Sequence, residues 1–76
     1  MRERLRFLVP EALNIPLDEL PDNGGLGNPE KWDSLAHLHI MLAIEQEFGI
    51  EVTAEAVMKA TSLDAIEVYL CARRGE

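Results

Sequence analysis

One cysteine is present, Cys71, and there is no CxxC pair or Cys/His spacing of the kind that holds a metal. That excludes an internal disulfide and the common zinc modules, and it suits a reducing cytoplasm. Cys71 reads as an ordinary residue of the last helix. Basic residues are also scarce: 7 Lys plus Arg stand against 14 Asp plus Glu, for a formal net charge of −7. A field of that sign repels nucleic acid and anionic membranes and attracts basic protein surfaces. No apolar run approaches the roughly 20 residues needed to span a bilayer. The basic start of the chain is followed only by Phe7, Leu8 and Val9 before Pro10 interrupts, too little for a signal-peptide core. There is no internal repeat and no low-complexity tract.

What is present is an ordinary globular composition. Apolar residues make up 47% of 76, too many for a disordered chain. The length suits a single domain spanning residues 1–76, of modest stability, with little room for a deep active site.

Read along the chain, the pattern predicts an all-α fold. Residues 2–13 carry Leu5, Leu8, Val9 and Leu13 at a helical period, with a kink or break expected at Pro10. Residues 14–31 contain Pro16, Pro21, Pro29, Gly24, Gly25 and Gly27 and read as a long loop. Ile15, Leu17, Leu20 and Leu26 are its expected anchors to the core, so an ordered loop is predicted. The strongest helix runs from Ser34 to Phe48, with Asp33 as N-cap and Gly49 as a left-handed C-cap. A short helix follows over residues 53–59, capped by Thr53. The last begins after Thr61 and Ser62, carries Leu63, Ile66, Val68 and Leu70, and ends at Arg73 and Arg74. No strand pair is evident. The expected architecture is a small bundle of three main helices plus one short helix, with the long loop between the first and second.

The helix from Ser34 has two apolar stripes. Ile40, Ala43, Ile44 and Phe48 form one, with Ala36 at its edge. Leu35, Leu38 and Leu42 form a second, roughly opposite, with His39, Glu45 and Gln46 along that side. A small bundle has few ways to bury both. Either the loop or the short helix covers the second stripe, or it is a docking surface edged by polar groups. Ser34 lies in the first turn, where unpaired N–H groups and the positive end of the helix dipole favour a phosphate on its hydroxyl. Position alone would equally suit a plain helix-start serine.

Trp32-Asp33-Ser34-Leu35 resembles the attachment motif of the acyl carrier protein family. The run Ala43-Ile44-Glu45-Gln46-Glu47-Phe48-Gly49-Ile50-Glu51-Val52 is similar to the end of that family's second helix, and Thr61-Ser62-Leu63-Asp64-Ala65-Ile66 to the start of its last. The spacing fits without gaps from Asp33 onward. The first helix and the loop match in length and character.

The resemblance implies a carrier of the acyl or peptidyl type rather than an enzyme. It implies 4′-phosphopantetheine on Ser34, transferred from coenzyme A by a separate Mg²⁺-dependent phosphopantetheinyl transferase that recognises Asp33. Cargo would ride the arm as a thioester. Loading and accepting biosynthetic enzymes would read the helix through Leu35, Leu38, His39, Leu42 and Glu45, with Met58 of the short helix at the border. Nucleic acid and membrane are not expected partners, and a cytoplasmic monomer is the expected state. The acidic balance speeds encounters without tight binding, which suits a shuttle.

The sequence departs from many fatty-acid carriers, which have acidic residues where Ala36 and His39 stand and a small residue where Trp32 stands. Trp-Asp-Ser-Leu occurs in carriers of specialised pathways, so the resemblance leans away from housekeeping fatty-acid synthesis. Two enzyme-like readings fail. Ser34, His37 and Asp33 supply the residue types of a hydrolytic triad, but Asp33 and Ser34 are adjacent and no nucleophile elbow is present. His37 reads as a surface residue. His37 and His39 are two apart on a helix and face different ways, so they make no metal pair. The remaining rival is an unmodified carrier-like adaptor that binds a partner through Leu35, Leu38 and Leu42.

Overall fold

The computed structural model describes residues 2–74, except for the side chain of residue 74. Four α-helices appear in the expected order: α1 Arg2–Leu13, α2 Ser34–Phe48, α3 Ala54–Lys59 and α4 Leu63–Arg74. A 3₁₀ turn, Leu17–Glu19, lies in the long connection between α1 and α2. Among the described residues there is no strand, only isolated bridges from Gly25 to Asn28 and to Ser62. Among the described residues no helix is long and apolar enough to cross a membrane. The architecture is the all-α bundle anticipated, with one short helix among three longer ones.

Of the two outcomes expected at Pro10, the break does not occur: α1 continues through it. Pro10 forfeits only its own N–H bond, close to the helix end, and its ring is buried. Its carbonyl then helps to close the helix. Asn14 is left-handed at φ 59°. The Ile15 N–H donates to Pro10 O at 3.0 Å and the Asn14 N–H to Glu11 O at 3.2 Å, the two bonds of a Schellman closure. Leu5, Val9 and Leu13 face the core as their spacing requires.

α1 packs most extensively on α2 and also touches α4, while α2 meets α3. The core joins Leu5, Val9 and Leu13 of α1 to Ile40, Met41 and Ile44 of α2, and these to Ala56, Leu63, Ile66 and Leu70. Val68 departs from the expected apolar set of α4 and lies exposed. Arg2 fastens α1 to the start of α4, with guanidinium nitrogens 2.5 Å from Asp64 and 3.1 Å from Glu67. Arg73 ends α4 near Glu51, at 3.7 Å. The reading of Arg74 as a helix-end charge lies outside the described side chains.

The loop is ordered by backbone bonds more than by its expected apolar anchors. Leu20 is buried and Ile15 packs against the core, but Leu17 and Leu26 are exposed. Their role falls to hydrogen bonds that sew the loop onto the α3–α4 link. The Leu26 N–H donates to Thr61 O and the Leu63 N–H to Gly24 O, each at 2.8 Å. Gly25 sits between them, and a Cβ there would meet Thr61 O at 2.5 Å, so only glycine allows this approach. The apolar anchor is Trp32, wholly buried at the loop's far end.

Candidate functional site

Ser34 is the first residue of α2, and local chemistry fixes that start. The Asp33 carboxylate accepts from the Ala36 N–H at 2.8 Å, capping one of the donors that a first turn leaves unpaired. The other end closes at Gly49, left-handed at φ 65°, whose N–H donates to Glu45 O at 3.0 Å. Ser34 is exposed, and no hydrogen bond among the described residues occupies its hydroxyl. Beside it lies an open depression of about 310 Å³, walled by Leu26 of the loop, His37 of α2, Val57 and Met58 of α3, and Thr61.

The second apolar stripe of α2 is uncovered. Leu35, Leu38 and Leu42 are 64%, 41% and 48% exposed, and Met58 across from them is 78% exposed. His39 is exposed on the same side. Neither the loop nor α3 buries these leucines, so the alternative of coverage by the loop or the short helix does not hold. Glu45 is half-buried, and its Oε2 accepts from the Val52 N–H at 3.0 Å. It therefore pins the chain leaving α2 as well as bordering the leucine face.

His37 corrects the sequence reading most sharply. It is buried, only 3% exposed. The Trp32 indole N–H donates to His37 Nδ1 at 2.9 Å, and His37 Nε2 lies 2.8 Å from Val57 O. An indole nitrogen only donates and a carbonyl only accepts, so the ring carries its one proton on Nε2. The two rings stack with centroids 5.9 Å apart. Burial pushes the His37 pKa below its usual value, and bonds to the Val57 and Ala60 carbonyls pull weakly the other way. The periodicity held a signal for this. His37, Ile40, Met41, Ile44 and Phe48 follow spacings of three and four, the seam the helix buries. Trp32 also had a signal, since a lone tryptophan in a loop has a large apolar surface to hide.

Among the described residues no group of three or more His, Cys, Asp or Glu is arranged to hold a metal. Ser34, Asp33 and His37 are brought into one turn, but His37 spends both ring nitrogens on Trp32 and Val57. The triad reading is removed by that occupancy. What the arrangement can do is present an open hydroxyl at a positive helix end, next to an apolar depression and an apolar helix face. An attached phosphodiester with an extended organic arm fits this setting. The family model described as the phosphopantetheine attachment site matches residues 3–70. The chain thus belongs to the phosphopantetheine-attachment family of acyl carrier type, which is defined by covalently bound 4′-phosphopantetheine.

Proposed function

We propose that Ser34 is the attachment residue and that residues 1–76 act as one acyl or aminoacyl carrier domain. The observation that carries this is the exposed Ser34 hydroxyl in the first turn of α2, directly after the Asp33 cap. When bound, the prosthetic group supplies a flexible arm ending in a thiol, on which cargo is held as a thioester. The chain's own residues present and orient. Asp33 holds the helix start in shape for the transferase. Leu35, Leu38 and Leu42, flanked by His39, Glu45 and Met58, offer the surface to loading and accepting enzymes. The transferase and those partners perform the bond-making steps, so the carrier itself needs no activated nucleophile.

Ala36 and His39 leave the early part of α2 without acidic side chains. Basic enzymes that seek acidic contacts there gain little, which supports a specialised biosynthetic pathway over housekeeping fatty-acid synthesis. His39→Glu is expected to improve transfer by fatty-acid enzymes, and unchanged transfer removes this argument. The acidic balance and absence of an apolar span accord with a cytoplasmic, monomeric shuttle.

The exposed leucine face also favours a second reading, an adaptor that is never modified. Incubation with coenzyme A, Mg²⁺ and broad-specificity phosphopantetheinyl transferases separates the two. The carrier gains the mass of one phosphopantetheine, and Ser34→Ala gains none. A wild type left unmodified by several transferases supports the adaptor.

A further inference from the structure

We propose that His37 is a positioning residue for the modification of Ser34: as a neutral ring, it ties the loop that delivers Ser34 to the backbone of α3. This rests on Ser34 being the attachment residue.

The geometry is that of a two-sided bridge. One ring nitrogen receives the Trp32 N–H, two residues before Ser34, and the other donates to Val57 O in the middle of α3. Trp32 is itself fixed to the loop. Its carbonyl accepts from the Gly27 N–H at 2.7 Å, and its own N–H donates to Pro29 O at 2.9 Å. The depression beside Ser34 has Leu26 on the loop side, Val57 and Met58 on the α3 side, and His37 itself in its wall. Together with the Leu26 N–H on Thr61 O, His37 therefore sets the separation of the two walls next to the reacting hydroxyl. Asp33 governs only the helix start.

The bridge works in one protonation state. A second ring proton would sit on Nδ1 and confront the Trp32 N–H, donor against donor, in a buried site. The groups facing the ring offset that charge only in part. The loop side presents an indole and the α3 side presents the Val57 and Ala60 carbonyls. On its own helix, the nearest acid, Asp33, has its carboxylate engaged with the Ala36 N–H. On α3, Lys59 and Glu55 face solvent, 3.7 Å from each other. Protonation should thus release Trp32 from His37, while the Leu26 N–H on Thr61 O and the helices stay in place. Burial places this event at a pH below the usual imidazole range, about 6.5.

The test competes apo wild type against His37→Gln for one transferase with coenzyme A in a single tube, from pH 7.5 to pH 5. The enzyme's own pH profile cancels in the ratio of kcat/KM values. At neutral pH the wild type is expected to react about fivefold faster, as for loss of one buried hydrogen bond. The ratio should fall toward one as His37 gains its proton. Trp32→Phe keeps the apolar bulk and removes only the donor. By NMR it should raise the His37 titration midpoint, because nothing then opposes a proton on Nδ1. In the wild type the imidazole nitrogens should report the Nε2–H form.

A ratio that stays constant while NMR shows His37 gaining its proton, an Nδ1–H ring, or an unmoved midpoint in Trp32→Phe overturns the proposal. The NMR titration decides the matter if His37→Gln does not fold. A wild type left unmodified at pH 7.5 overturns the carrier reading itself, and this proposal with it. A wild type that is modified but shows a flat ratio as His37 gains its proton overturns this proposal alone.

Discussion

The two faces of α2 invert the usual correspondence between polarity and burial. The buried face includes a histidine with Ile40, Met41 and Ile44, while the exposed face carries three leucines. Side-chain polarity alone would have placed them the other way. Each placement has a local cause. His37 enters the core because both ring nitrogens find partners there, so its burial leaves no polar atom unsatisfied. Leu35, Leu38 and Leu42 stay outside because α1 packs on the opposite side of α2 and α3 leaves them exposed. The core face is specified by packing and hydrogen bonds within the chain. The leucine face is left uncovered by the described residues.

The comparison is broken most directly by truncating each face in turn. Ile40→Ala removes wholly buried atoms and is expected to cost about 2–5 kcal/mol, read by chemical denaturation. For a domain of this size that approaches the total stability, of order 4–11 kcal/mol. Leu42→Ala on the other face should change stability by less than about 0.5 kcal/mol. Equal losses at the two positions would mean that the faces do not differ as described. At the helix start, Asp33→Ala should cost about 1 kcal/mol through the lost cap. Asp33→Asn keeps the cap while changing the charge. Modification that drops in both variants marks recognition of the carboxylate by the transferase, and a drop in Asp33→Ala alone marks capping.

A smaller effect distinguishes the buried histidine from its apolar neighbours. The His37 pKa is lowered by folding, so the unfolded chain binds the proton more readily. Its contribution to stability is then complete above the unfolded imidazole value, about 6.5. It is lost progressively as pH falls from there through the lowered folded value. Urea midpoints of wild type and His37→Gln should therefore converge on acidification across that window. Parallel midpoints from pH 7.5 to pH 5 would mean that His37 does not prefer its neutral form.

The sequence showed helix boundaries well where capping chemistry is local. Asp33, Gly49 and Thr53 each act within their own turn, and all three cap as their types suggest. It showed the leucine stripe for the same reason. It allowed a break at Pro10 that the helix does not make, because a helix tolerates a lost bond near its end when the ring is buried, and burial depends on the partner helix. Leu17 and Leu26 looked like anchors by composition. The loop is instead held through the backbone, by the Leu26 N–H on Thr61 O and the Leu63 N–H on Gly24 O, which side-chain patterns do not encode. His37 was placed by residue type when its spacing to Ile40, Met41 and Ile44 was the better guide.

The smallest expected change in stability carries the most functional weight. Leu38→Glu places a charge in the middle of the leucine face, at a side chain already 41% exposed. Nothing in the chain packs a second layer over it, so folding should shift by no more than about 0.5 kcal/mol. A partner that buries this face must strip water from the new carboxylate, and that penalty falls on association alone. Transfer to and from loading enzymes should decline about tenfold or more, corresponding to about 1.4 kcal/mol of lost binding. Modification at Ser34 by a transferase that reads mainly the helix start should decline less. If Leu38→Glu unfolds the chain, the leucine is a core residue and the two faces of α2 are alike. If it folds and every partner reaction is unchanged, the exposed leucines are not the surface by which this carrier is read.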